Sequence, residues 1–282
     1  MVQIVADTTC SLPRELLESR NIPLIPQVII FGEQSYLDDK ELDTPTFLSK
    51  LKSASALPKT AAPPVHLYHP IYEAAHKKHE SVVVVAPSAK VSGTVRSAEV
   101  AAQDFPGLDV HVVDTQTIAG GLGTFVLLAD EWAKQGADAK TIVQRINDLM
   151  PRHRTYFLVD TLEYLAKGGR IGGAKALLGE LLQVKPILTV RNGQVEPFEQ
   201  QRTKRRALAR LAEIVVEQSA PGEESHLCVM QVEAMDAAQE LVATLKSGLN
   251  LKEIPIYQLP PAIVVHAGPG ALAVGFFTNA MV

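Results

Sequence analysis

The sequence has two cysteines in 282 residues, Cys10 and Cys228. That is too few for a disulfide framework, and a reducing compartment is the expectation. An excess of positive charge is also missing. Lys and Arg number 27 against 31 Asp and Glu, a net charge of −4, so no overall basic field is offered to nucleic acid. The basic group Arg202, Lys204, Arg205, Arg206 and Arg210 is local and reads as a solvated helix face. No unbroken apolar run is long enough to cross a bilayer. Residues 260–277 come nearest, and His266, Gly268, Pro269 and Gly270 interrupt them. The first strand-like run, residues 2–6, has neither a basic nor an apolar leader before it, and a cytoplasmic location is expected. There is no G-x-x-x-x-G-K-[ST] phosphate loop, no G-x-S-x-G elbow, no internal repeat and no low-complexity segment.

Hydrophobic residues make up 46% of the chain, enough for a sizeable core, and 282 residues suit two domains. The first half alternates strand and helix patterns, which predicts an α/β domain with a parallel sheet. The second half mixes hairpins and helices, which predicts an α+β domain with a mixed or antiparallel sheet. The texture changes at Pro151, so the expected domains are 1–152 and 153–282. In detail, residues 22–30 read as one edge strand despite Pro23 and Pro26. Residues 53–64 read as a loop holding Thr60. Residues 115–134 read as a long helix interrupted by Gly120, Gly121 and Gly123, residues 174–182 as a helix, and residues 262–265 as a strand. Asn192-Gly193 is a hairpin signal.

Residues 81–105 carry the clearest site. Val82 to Val85 form a buried strand pattern, and Val95, Ala98, Ala101 and Ala102 recur at helical spacing. The loop between them holds Ser88, Ser92, Gly93 and Thr94 and no acid. A helix starting just past a strand's carboxyl end turns free N–H groups and its positive dipole end into the crevice there. Such a place suits a phosphate or a carboxylate. The alternative is an ordinary strand-to-helix turn with a hydroxyl cap.

Four further groups stand out. Residues 167–173 form a glycine-rich basic loop that follows a helix pattern, so it is no dinucleotide fingerprint. It could meet an anion or a partner. His66, His69, His76 and His79 share a helix, but no ligand set completes a zinc tetrahedron. Asp7, Asp114 and Asp160 close three predicted strands. They could hold Mg²⁺ beside a phosphate, which keeps a metal-dependent enzyme acting on a phosphorylated small molecule as the alternative function, or they could cap backbone amides. His266-Ala267-Gly268-Pro269-Gly270 places a histidine at a predicted strand end.

Taken in order, these pieces resemble one family. They are Ala6-Asp7-Thr8-Thr9 with Ser11-Leu12-Pro13, Thr60 with Pro63, Ser88 with Val91-Ser92-Gly93-Thr94, and Val113-Asp114-Thr115. Then come Leu162-Glu163-Tyr164-Leu165, Gly168-Gly169-Arg170-Ile171, Lys185-Pro186-Ile187-Leu188, Arg202, and His266 with its glycines. The chain resembles the DegV family of bacterial fatty-acid-binding proteins, which present acyl chains to a fatty acid kinase. The resemblance implies two α/β domains, a carboxylate held near their junction and a tail in a buried apolar pocket. It implies Ser92 as a carboxylate donor helped by the amides of Gly93 and Thr94, Thr60 as a second hydroxyl donor, and Arg202 and His266 beside the head group. It also implies Arg170 in docking the kinase, with no catalytic residue, metal or cofactor of the chain's own. The family's usual Thr-Ser-Gln-Pro reads Thr60-Ala61-Ala62-Pro63 here, which implies a thinner head-group network.

Overall fold

The computed structural model describes residues 1–178 and 184–279. The chain opens with β1 (Val2–Asp7), turns through α1 (Arg14–Ser19) and returns as β2 (Leu24–Ile25). Pro26 and the buried Gln27 then split what reads as one extended run. β2 stays beside β1, whereas β3 (Val28–Phe31) leaves for another sheet. β3 turns into β4 (Gln34–Leu37). α2 (Thr44–Ser53) follows, capped by Asp43 with a proline in its first turn, and β5 (Lys59–Ala61) returns beside β3. Thr60 is therefore on a strand rather than in a loop. α3 (His69–Lys78), β6 (Ser81–Ala86), α4 (Thr94–Ala102), β7 (Val110–Asp114), α5 (Gly120–Lys134) and α6 (Ala139–Leu149) follow.

The second half runs β8 (His153–Leu158), α7 (Glu163–Lys167), a 3₁₀ turn (Gly172–Leu177), β9 (Lys185–Arg191), β10 (Gln194–Gln201), α8 (Lys204–Gln218), β11 (Cys228–Gln231), α9 (Met235–Leu249), β12 (Ile256–Gln258), α10 (Pro261–Ala267) and β13 (Leu272–Phe277). The helix expected over 174–182 is represented by that 3₁₀ turn, and 179–183 lie outside the described residues. The hairpin signal holds: Asn192 and Gly193 both have positive φ, +49° and +79°.

Three sheets result. The first, in the order β2-β1-β6-β7, is parallel throughout, and Val82 to Val85 are buried as strands covered on both faces must be. The second, β10-β9-β8-β13-β11-β12, is antiparallel except between β11 and β12. The third is the small antiparallel sheet β4-β3-β5. It comes from the first half of the chain, yet Ile29, Leu42 and Phe47 share a core with Phe157, Leu188 and Ile263 of the second. α5 packs against strands of both large sheets. It begins at Gly120 and is not interrupted. A side chain at Gly121 would strike the His153 ring, so this glycine permits the close approach.

The strand expected over 262–265 is a helix. Ala262, Ile263, Val264 and Val265 are all buried, so the run is apolar on every side and carries no period to separate helix from strand. Pro260 and Pro261 fix its start and Gly268 its end. His266 consequently sits in the last turn of α10, not at a strand end. No described helix is long and apolar enough to cross a membrane.

Candidate functional site

In the parallel sheet the strand order reverses between β1 and β6. Crevices outside the carboxyl ends of strands at such a point are where open α/β sheets bind ligands. Two loops meet there, one after Asp7 and one over residues 87–93. The Asp7 carboxylate, 2% exposed, is the hub. Oδ1 accepts from the Thr9 amide at 2.9 Å and from its hydroxyl. Oδ2 accepts from Gln27 Nε2 at 2.6 Å and from the Thr94 hydroxyl at 2.8 Å. Burial pushes the Asp7 carboxyl up from its ordinary value, and the bonds from Thr9, Thr94 and Gln27 work against that.

The count of protons in this cluster decides what Ser92 can do. The single Thr94 hydroxyl proton goes to Asp7, so Thr94 Oγ1 must accept from its two other neighbours. These are Gln27 Nε2 at 2.8 Å and Ser92 Oγ at 2.9 Å. Ser92 also receives the Thr94 amide at 3.3 Å. If Ser92 turns away, Thr94 still keeps Gln27 as donor and Asp7 as acceptor. Ser92 is thus the one hydroxyl of the group free to reorient at small cost. Gly93 caps α4 and closes on the residue just after β5: a Cβ there would lie 3.1 Å from that of Ala62. The small residue at 62 suits this approach.

A second polar group forms around α10. Thr60 Oγ1 and His266 Nε2 are 2.8 Å apart. His266 Nδ1 is buried without a partner beside Gly168, where any side chain would collide with it. Burial, then the nearby Arg170 guanidinium, pushes the His266 imidazole down to about 4, so it is neutral near pH 7. A buried orphan N–H is costlier than an orphan lone pair, which favours the proton on Nε2. That N–H donates to Thr60, and the Thr60 hydroxyl proton is left to point elsewhere. Arg170 donates to the carbonyls of Val91 at 3.1 Å and Gly168 at 2.7 Å. Through Val91 it ties the α10 group to the residue preceding Ser92.

The second group borders two cavities, whereas Ser92, Gly93 and Thr94 line neither and their loop reaches the chamber through Ser88 and Val91. One is a narrow apolar chamber of about 100 Å³, lined by Val91, Ile118, Phe157, Leu165, Val195 and Ile263 among others, with Arg170 and His266 at one edge. The other is an open basin of about 580 Å³ outside that edge. Lys59, Thr60, Lys167, Arg170 and His266 line the basin, and no acidic side chain does among the described residues. An apolar slot meeting a cationic basin across hydroxyl and imidazole groups can hold a molecule with an apolar tail and an anionic head.

The remaining expected residues lie apart. Arg202 is exposed at the bend between β10 and α8 and lines neither cavity. Beside it, Thr203 caps α8 and Lys204 pairs with Asp160 at 2.6 Å. Asp114 accepts the Gln116 amide at 2.9 Å, so Asp7, Asp114 and Asp160 have separate partners. His66, His76 and His79 are exposed, and His69 lies 3.0 Å from Asp104. Among the described residues no three His, Cys, Asp or Glu side chains gather as a metal site would need. The sequence reading passed over Gln27, whose only signal is an amide beside Pro26 in an apolar run. It also passed over Asp38. This carboxyl is fully buried under α10, 3.4 Å from the Ala262 amide, and burial pushes it up to about 7.

Fold and site together define a mixed α/β protein in which two large sheets and a small third one enclose an apolar chamber with a polar, cationic mouth. The chain belongs to the DegV family: the family model, described as "Uncharacterised protein, DegV family", matches residues 1–279. A DegV domain-containing protein of Deinococcus radiodurans is 36% identical over 276 residues, 97% of each chain. The solved structure of a DegV family protein from Thermus thermophilus, described for its fatty acid binding, superposes with a TM-score of 0.89 at 32% identity, covering 98% of this chain and 99% of that one. DegV, a fatty acid binding protein from Bacillus subtilis, gives 0.88 at 29% identity with 99% of both chains covered.

Proposed function

We propose that this protein binds a long-chain fatty acid and presents its carboxylate to a fatty acid kinase for acyl-phosphate formation. The observation that carries the reading is the apolar chamber whose edge toward the cationic basin is formed by His266 and Arg170, with Thr60 bonded to His266. The fatty acid binding of relatives from Thermus thermophilus and Bacillus subtilis supports it. The tail supplies affinity. At ~0.8 kcal/mol per buried CH₂, a chain of ~16 carbons offers on the order of 12 kcal/mol before ordering costs. The head group supplies orientation through the Thr60 hydroxyl, a reoriented Ser92 hydroxyl and the Gly93 and Thr94 amides. His266 positions Thr60 rather than charging the site. Residues 1–152 provide the head-group loops and residues 153–282 most of the chamber wall, with the β3–β5 sheet strapping the two together.

Sites for drug-sized ligands measure roughly 300–1,000 Å³. The chamber's 100 Å³ is smaller, so a long tail enters by parting its walls. The chain contributes no catalytic group in this reading. Phosphoryl transfer needs a positioned nucleotide and metal ions, which the kinase brings. Arg170, held at the basin rim, is the docking contact. The test is mass spectrometry of organic extracts from the purified protein, followed by titration with fatty acids. An acyl chain that co-purifies or binds supports the reading, and a protein that neither carries nor binds one overturns it. Loss of kinase coupling in Arg170→Ala with fatty acid binding retained would assign that residue to docking.

A further inference from the structure

The apolar chamber has a second neighbour besides the basin. It shares Arg170 and His266 with the basin, and it shares Thr117 and Val190 with a polar cavity of about 540 Å³. Asn147, Arg154, Arg191 and Asn192 are among the residues around that polar cavity. Basin and polar cavity have no described residue in common. The chamber therefore lies between the two, and at the end away from the basin its partition from the polar cavity is made of side chains that line both.

That partition is firmly held. Thr117 lies in the loop before α5, Thr155 on β8 and Val190 on β9. The Thr117 and Thr155 hydroxyls are 3.2 Å apart. The Thr117 carbonyl accepts the Ser88 amide at 2.9 Å, and the Thr155 carbonyl accepts the Thr189 hydroxyl at 2.9 Å. Ser88 in turn donates to the Gly193 carbonyl at 2.6 Å, pinning the β9–β10 turn against the same loop. On the far side, Arg154 on β8 and Arg191 on β9 both line the polar cavity. Two guanidiniums, with no carboxylate among the described lining residues, make that cavity cationic and polar. A methyl end pushed into it gains nothing.

We propose that Thr117, Thr155 and Val190 form the end wall of the chamber and set the length of tail the protein accepts. This rests on the fatty acid reading above. Affinity should rise about fourfold per methylene while added carbons stay within the chamber. It should level off once the tail reaches the wall. Saturated fatty acids in two-carbon steps, titrated calorimetrically into the full chain, measure this directly. Val190→Ala thins the wall and should move the plateau to longer chains. Val190→Leu thickens it and should move the plateau to shorter ones, with the shortest acids bound as in the parent. If the Val190→Ala protein does not fold, Thr117→Ser removes one methyl from the wall, keeps the hydroxyl pair and should shift the plateau the same way. A parent that binds fatty acids with the same plateau as the folded variants overturns the wall and leaves the fatty acid reading standing. A parent that binds no fatty acid at all overturns both.

Discussion

The cluster on Asp7 and the group around His266 are both polar and both lie at the same crevice, but they differ in how far they satisfy themselves. In the first, each proton has an internal destination, and a fully buried carboxylate collects them. In the second, one imidazole nitrogen is an orphan, a threonine proton is left over, and an arginine is held only by carbonyls. The contrast separates scaffold from contact surface. A closed network fixes loop positions and has little left to offer a ligand. An open one, tethered to it through Val91, has donors to give. Ser92 stands between the two, bonded to the scaffold yet dispensable to it.

The sharpest way to break this contrast is Asp7→Ala. It takes the acceptor from the Thr94 hydroxyl, from the Thr9 amide and hydroxyl and from one of the two Gln27 N–H groups, each costing about 1–3 kcal/mol, so a loss of about 3–5 kcal/mol is expected in urea unfolding. A loss below 1 kcal/mol would mean the cluster is no scaffold. Thr60→Val should do the reverse. Fatty acid affinity should fall about tenfold, the equivalent of one charge-assisted hydrogen bond, while unfolding loses only about 1–2 kcal/mol, the cost of the His266 N–H left without Thr60. Ser92→Ala should lower affinity by about fivefold, less than Thr60→Val because Ser92 gives up its bond to Thr94 when it turns to the ligand. Equal stability losses in all three variants would erase the distinction.

Titration gives a third handle. The His266 imidazole is held down to about 4 against an ordinary 6.5. Its contribution to stability is full above 6.5 and lost as pH falls toward 4. The Asp38 carboxyl runs oppositely. Held up to about 7 against 3.8, it contributes fully below 3.8, and that contribution is lost as pH rises through 7. Asp38→Asn should therefore gain stability relative to the parent on going from pH 5 to pH 8, measured by urea unfolding at both. Head-group affinity should show no step between pH 6 and 8, because His266 stays neutral there; a step at the ordinary histidine value would place a charged imidazole in the site. The smallest effects belong to the exposed lysines of the basin. Lys59→Ala and Lys167→Ala should each change affinity less than about threefold, and only at low salt. Lys167 already spends part of its charge on Glu163.

The strand Val82–Val85, the helix after Thr94 and the Asn192-Gly193 turn were legible because each carries a local signal: a β-branched run, a 3.6-residue period, a turn pair. Residues 262–265 were not. Apolar on all sides, they fit a strand as well as a helix, and only the space between the second sheet and β3–β5 selects the helix that carries His266. Residues 22–30 failed for a related reason. Their pattern is continuous, and nothing local says that β2 and β3 enter different sheets on either side of Gln27. Where Arg202 sits was not legible, since the bend between β10 and α8 depends on how that strand and helix pack.

The sequence by itself determined the α/β character, the parallel first sheet and the hydroxyl loop from Ser88 to Thr94, because strand runs, helix periods and caps act over a few residues. Tertiary structure alone decided that Thr60 meets His266 from 206 residues away, that Arg170 reaches the Val91 carbonyl, and that the Asp7 network closes through Gln27. Those contacts are set by how three sheets pack around one chamber, and packing is a property of surfaces brought together, which no local window of sequence contains.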